Sequence, residues 1–257
     1  MKTFYSFLII IVLIICSCKS TSKIHKEFVR YNTEYTPIDA NEYGWTIPYD
    51  SSGFVGKRKL LFASREEKLG FLKNQGTLIS IIETTVKGDI NFGPAKASTK
   101  NSSYRVVMDY AKYKVHRTTS GDAKIGIGLR MVAQVTTTEN DINLGDLFAI
   151  GLAAQANHLH GTLSLDVIGM DSKEITYLLP FQSEINKTTI QNAMQALATI
   201  KTEIYNDSTK VYPHILSVKP KLTGTYNGLG EYNQDVNVKI NEVIDILSKK
   251  QSKPKED

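Results

Sequence analysis

The chain has 257 residues, a formal net charge of +5, 41% hydrophobic residues and 22% charged residues. This composition supports a sizeable core and excludes a wholly disordered chain. The excess of 31 Lys and Arg over 26 Asp and Glu is small for this length. A dedicated nucleic-acid binder concentrates far more positive charge, so we expect no nucleic-acid partner.

The first seventeen residues have the pattern of a signal peptide. Lys2 is followed by an apolar run of about twelve residues that ends at Ile15. A membrane span needs about 20 such residues, so the run is too short to cross a bilayer comfortably. We therefore predict that residues 1–17 are removed and form no part of the folded body.

The run ends in Ile15-Cys16-Ser17-Cys18, which resembles the lipobox of bacterial lipoproteins. Cys18 fits that pattern better than Cys16, because the small Ser17 precedes it whereas bulky Ile15 precedes Cys16. The resemblance implies a mature chain that begins at a lipid-modified Cys18 and is held at the membrane by its acyl chains, palmitate among them. An uncleaved N-terminal anchor is the alternative.

The residues after Cys18 bear on location. They lack the aspartate directly after the cysteine that implies inner-membrane retention in enteric bacteria. They also lack the acidic run that resembles surface-export signals of Bacteroidetes lipoproteins. The resemblance therefore implies the outer membrane, facing the periplasm, with surface exposure as the alternative. It covers only this N-terminal segment.

Both cysteines are accounted for by processing. The resemblance implies that Cys16 leaves with the signal peptide and that Cys18 carries lipid, so we expect the mature body to have no thiol. This excludes disulfides, cysteine nucleophiles, cysteine-ligated zinc and cytochrome-type haem attachment.

The rest of the chain divides by composition. Residues 18–27 form a polar tether, and residues 28–56 form an irregular arm rich in aromatic residues. In that arm Tyr43, Trp45 and Tyr49 are a candidate ligand surface; the alternative is that the aromatic side chains pack the arm onto the core. Residues 57–222 form the body, and 223–257 form a loop, an amphipathic helix and a charged tail.

The body begins with a capping box, Ser64 to Glu67, which predicts a short helix that ends near residue 76. Strands are predicted over 77–87, 103–118, 123–135, 162–170 and 211–219. The third of these alternates strictly between apolar and polar residues, and the turn signal at 120–122 joins it to the second as a hairpin. Within it, Gly126 and Gly128 predict a close approach of another backbone or helix.

Two internal helices are predicted, over 143–157 and 187–205. For the first, Asn143 is the expected cap, and the residues expected to face inward are Leu144, Leu147, Phe148, Gly151, Leu152 and Ala156. For the second, the expected buried stripe is Ile190, Met194, Leu197 and Ile204, with Lys201 and Glu203 in solvent. The C-terminal helix is expected to dock on the body or on a partner. The fold class is α+β: a mostly antiparallel sheet with about three to four helices packed on it, plus the N-terminal arm.

Few residues have the spacing of a catalytic or metal site. His158 and His160 are the candidate metal ligands, and they would need a distant third ligand such as Asp166 or His116. Exposed or hydrogen-bonded histidines are the alternative. We assign no catalytic residue and expect no cofactor.

These observations favour a membrane-anchored, non-enzymatic lipoprotein that binds a ligand or an envelope protein partner. Two alternatives remain open: a periplasmic or surface hydrolase of glycan or lipid, and a subunit of an oligomeric secretion complex.

Overall fold

The computed structural model describes residues 29–31, 34–39, 64–84, 90–92, 96–97, 101–176, 181–225 and 229–249. The strands within this part are β1 (Val29–Tyr31), β2 (Thr36–Pro37), β3 (Asn74–Thr84), β4 (Ile90–Phe92), β5 (Lys96–Ala97), β6 (Ser103–Arg117), β7 (Gly121–Thr137), β8 (Ile142–Asn143), β9 (Leu159–Ile168), β10 (Met170–Asp171), β11 (Phe181–Glu184), β12 (Lys210–Val211) and β13 (His214–Pro220). The helices are α1 (Arg65–Phe71), α2 (Leu147–Gln155), α3 (Lys173–Thr176), α4 (Lys187–Glu203) and α5 (Leu229–Lys249).

The main element is a curled sheet built around the β6–β7 hairpin. Nine strands belong to it, and the described pairs are antiparallel except β1 with β3. Two strands pair with the edge of β7 that is opposite β6: β13 pairs with Gly121–Gly126, and β9 pairs with Gly128–Thr137. The predicted α+β class is confirmed.

The two faces of the sheet differ in chemistry. From Ala123 to Val135 the odd-numbered residues of β7 are apolar and buried, as their alternation predicts. Helices α2 and α4 pack on those from Ile127 to Val135 in the main hydrophobic core. Helix α5 packs on a second cluster around Ile125, Ile215 and Val218 through Ile240, Val243 and Leu247. This C-terminal helix therefore docks on the body.

The even-numbered residues of β7 and their partners on β6 and β9 form the other side, which we call the polar face. It carries charged and hydroxyl side chains as well as Gly126 and Gly128. A Cβ on Gly128 would lie 2.0 Å from the carbonyl oxygen of Tyr110, and one on Gly126 would lie 2.4 Å from that of Lys112. The sequence predicts a close approach of another backbone or a helix at these glycines, and the structure shows that the β6 backbone makes it.

Helix α2 differs from its prediction. Asp146 is its cap, with Oδ1 accepting from the amide of Phe148 at 2.8 Å, while Asn143 lies in β8. Phe148 and Leu152, expected to face inward, are 57% and 50% exposed. Gly151 packs directly against Ile190, and this contact rotates the buried stripe away from Phe148 and Leu152. Ala156, also expected inside, is exposed.

Helix α4 forms where expected, but its buried stripe is shifted. Ile190 and Ile204 are buried as predicted, whereas Met194 is 46% exposed. Glu203, expected in solvent, is buried and accepts a hydrogen bond from Thr209 Oγ1 at 2.8 Å. Burial raises the pKa of Glu203, but hydrogen bonds from Asn206, Thr209 and Ser172 outweigh it and lower that pKa.

The capping box of α1 is confirmed. The Ser64 amide donates to Glu67 Oε2 at 2.6 Å, and the Glu67 amide donates to Ser64 Oγ at 3.2 Å. Among the described helices, none is long and apolar enough to cross a membrane.

Candidate functional site

Four predicted site residues lie outside the described residues: Cys18 and the aromatic set Tyr43, Trp45 and Tyr49. The two candidate metal ligands are described. His158 precedes β9, and His160 lies in β9 opposite Thr136; both side chains are exposed.

The structure does not bring a third ligand to these histidines. His116 is opposite Ala123, thirteen residues from Thr136 along β7, which is about 40 Å at 3.3 Å per residue. Asp166 lies six residues beyond His160 on β9, or about 20 Å along the strand. Within the described ranges, no group of three or more His, Cys, Asp or Glu side chains could hold a metal ion.

The centre of the polar face holds a buried ion pair. Asp109 on β6 and Arg130 on β7 are directly opposite each other, and their side chains are 6% and 2% exposed. Arg130 Nε donates to Asp109 Oδ1 at 2.7 Å and Nη2 donates to Oδ2 at 2.8 Å, so the contact is bidentate. Asp109 outweighs the desolvation of the guanidinium, so the pKa of Arg130 is raised.

The same guanidinium donates a hydrogen bond to a backbone carbonyl at a β-bulge in β13. Strand pairing shifts between Ile215 and Ser217, which leaves Leu216 as the extra residue. Its carbonyl oxygen accepts from Arg130 Nη2 at 2.7 Å and from the Ile38 amide at 2.9 Å. Arg130 Nη1 donates to the carbonyl of Ile38. Arg130 is thus fully engaged in joining β6, β7, β13 and the segment after β2.

Two cross-strand rows from this pair, the polar face opens into a groove of about 470 Å³. We call it the arginine groove; the polar-face side chains that line it are Ser103, Arg105, Gln134, Thr136 and Thr162. They come from two adjacent cross-strand rows of β6, β7 and β9, and His160 continues the outer row. Ser103 Oγ and Thr136 Oγ1 are 3.1 Å apart and share a hydrogen bond.

Arg105 is the only charged side chain that lines the groove among the described residues. Burial, followed by the positive charge of Arg130, lowers the pKa of Arg105, and the carboxylates of Asp39, Asp109 and Asp166 oppose this more weakly. Chemically, the groove offers one guanidinium fork and four neutral groups that both donate and accept hydrogen bonds.

A second concavity, of about 230 Å³, lies between α1 and residues 207–212. Two of its cations have partners: Arg65 donates to the carbonyls of Ile204 at 2.9 Å and Thr209 at 3.1 Å, and Lys68 donates to that of Val211 at 3.2 Å. These contacts anchor the loop after α4, so the structure assigns Arg65 and Lys68 a role in holding that loop.

The sequence contains a signal for the polar face that periodicity alone does not use. Asp109 interrupts an apolar stretch on β6, and Arg130 does the same on β7. Charges of opposite sign inside two paired apolar strands indicate a buried ion pair. Arg105 carries no comparable signal, because an isolated arginine in a strand is also typical of a solvent-facing position.

Family models, curated proteins and solved structures give no match to this chain.

Proposed function

We propose that this protein is an envelope lipoprotein, anchored through lipid on Cys18, that acts by binding a ligand or an assembly partner rather than by catalysis. The N-terminal sequence supports the anchor and its place at the outer membrane. The arginine groove supports the binding role.

The observation that carries the binding role is the chemistry of the groove lining. Hydroxyl, amide and guanidinium groups line it, and no carboxylate or imidazole does so among the described residues. A hydrolase of glycan or lipid needs a general base, either to activate water or to activate a nucleophile such as a serine or threonine hydroxyl. The lining suits recognition better than hydrolysis.

The binding role is tested by photo-crosslinking in intact cells. A photoreactive residue at Thr162, exposed in the groove, should capture a bound molecule, detected as added mass on the peptide that contains position 162. The matched control is the same residue at Gln195, exposed on α4. Equal capture at both positions, or none at Thr162, would contradict a binding role for the groove.

The anchor is tested with labelled palmitate. Cys18→Ala should abolish incorporation and release the chain from the membrane fraction, whereas Cys16→Ala should leave both unchanged, because Cys16 is removed with the signal peptide. Label retained in Cys18→Ala would overturn lipidation at this residue. The size of the detergent-extracted protein separates a single anchored chain from a subunit of an oligomeric complex.

A further inference from the structure

Arg105 differs from Arg130, the buried arginine of the polar face, in having no hydrogen-bond or ion-pair partner among the described residues. Arg130 uses its guanidinium on Asp109, Ile38 and Leu216. Arg105 is half-buried in the groove, and across the described part of the chain no hydrogen bond or ion pair to its guanidinium is found. A guanidinium that has lost water without gaining an acceptor favours an incoming anionic group.

The neighbouring carboxylates do not fill this role. Asp109 is held by both oxygens on Arg130. Asp166 lies opposite Arg130 on β9, two cross-strand rows of this face away from the row that holds Arg105, Gln134 and Thr162. Asp39 acts on Arg105 more than these two carboxylates do, but only through its charge, and the side chains that line the groove beside Arg105 are neutral.

The neutral side chains of the groove indicate which groups the ligand carries besides its anionic group. Gln134, Thr136 and Thr162 have side chains that both donate and accept hydrogen bonds, as Ser103 does. Sugar hydroxyls have the same dual character. A volume of about 470 Å³ falls within the range typical of small-molecule sites, about 300–1,000 Å³.

We propose that the arginine groove binds a small polyhydroxylated molecule that carries one carboxylate or phosphate group, with this group paired to Arg105 and the hydroxyls contacting Gln134 and Thr162. The inference rests on the proposed binding function and specifies its ligand class. The guanidinium fork provides two parallel donors for the oxyanion, which a lysine could not.

The test follows the Nε–Hε NMR signals of the six arginines in the full chain in detergent, labelled with ¹⁵N on arginine. The Arg105 signal is assigned by its absence in Arg105→Gln. Four probes are titrated: glucuronate, glucose 6-phosphate, glucose and inorganic phosphate. We expect glucuronate or glucose 6-phosphate to shift the Arg105 signal to saturation at lower concentration than glucose or phosphate. Which of the two binds more tightly identifies the oxyanion.

Variants give the second readout. Arg105→Gln should weaken binding of the charged sugar about tenfold or more, measured on the amide signals of Gln134 and Thr162 in uniformly ¹⁵N-labelled protein. Arg105→Lys should weaken it less. Arg117→Gln, at an exposed arginine that ends β6, is the matched control and should leave binding unchanged. The unchanged signals of the remaining arginines show that the fold is intact.

Each other outcome overturns the proposal in a defined way. Equal binding of phosphate and glucose 6-phosphate would remove the polyhydroxyl requirement, and equal binding of glucose and glucuronate would remove the ion pair. No shift at Arg105 with any probe would exclude this ligand class. If Thr162 still captures a molecule in cells, the binding function survives that failure; if it captures none, both fail together.

Discussion

The Arg130 side chain can be buried in the sheet only because Asp109 lies opposite it and supplies a counter-charge. A guanidinium in a position 2% exposed would cost several kcal/mol if it were uncompensated. The bidentate contact and the two backbone carbonyls supply its acceptors. The pair fixes the register of β6 against β7, because a slip of β6 by one residue would move Asp109 to the apolar face and separate it from Arg130.

Asp109→Asn should lower the free energy of unfolding by roughly 3–5 kcal/mol, because it leaves the buried guanidinium without its counter-charge. The measurement is urea unfolding of the full chain in detergent. The double variant Asp109→Leu with Arg130→Met should regain much of this loss, since it removes both charges together.

Arg117→Met is the control for that experiment, because this arginine is exposed at the end of β6 and should change the free energy by less than about 0.5 kcal/mol. A loss in Asp109→Asn no larger than in this control would mean that the pair adds little to stability.

At the scale of elements, the close contact of β6 and β7 depends on Gly128. A methyl group there would lie 2.0 Å from the Tyr110 carbonyl oxygen and 2.8 Å from Ala111 Cα, and neither backbone atom can move without distorting the sheet. Gly128→Ala should therefore destabilise the protein by about 1–3 kcal/mol in the same unfolding experiment.

The matched control for Gly128 is Gly70→Ala in α1. A Cβ at Gly70 meets nothing within 4 Å, and alanine is the better helix former, so this variant should gain about 0.5–1 kcal/mol. Equal effects at the two glycines would show that close packing is not what selects glycine at 128.

Much of this element order is predictable from sequence. The alternation over 123–135 identifies the core face of β7, and the Ser64–Glu67 box identifies the start of α1. The buried stripe of α2 is not predictable in this way: its residues are almost all apolar, so periodicity cannot choose between Phe148 and Ile150. The contact of Gly151 with Ile190 decides it, and that contact depends on the tertiary fold.

The polar face escapes prediction for a different reason. The turn signal at 120–122 centres the hairpin on Gly121, which would place Asp109 opposite Ala133. The actual turn begins earlier, where Thr118 Oγ1 donates to the Gly121 carbonyl at 2.7 Å, and this shift brings Asp109 opposite Arg130. The groove depends on that register and on the pairing of β9, so its residues cannot be assembled from spacing alone.

For the whole molecule, His214 makes stability depend on pH. It lies half-buried at the start of β13, opposite Gly126, and burial lowers its pKa below the ordinary value of 6.5. As the pH falls through 6.5, the unfolded chain takes up a proton before the folded protein does. The unfolded state then binds more protons, so the free energy of unfolding falls with acidification.

We therefore expect the melting temperature to drop between pH 7.5 and pH 5.5, and to drop less in His214→Gln, which cannot take up that proton. The measurement is thermal unfolding of both proteins across this range. An identical slope in the two proteins would assign the pH dependence to other groups.

The bulge at Leu216 also has a consequence for the order of folding. Its carbonyl oxygen joins Ile38 and Arg130, so it connects segments from near the beginning, the middle and near the end of the chain. The β6–β7 hairpin closes a short loop, whereas this junction requires two long loops to close and is entropically costly until the sheet exists. We expect the hairpin to form early and the junction to form last, after the segment that contains β13 has been synthesised.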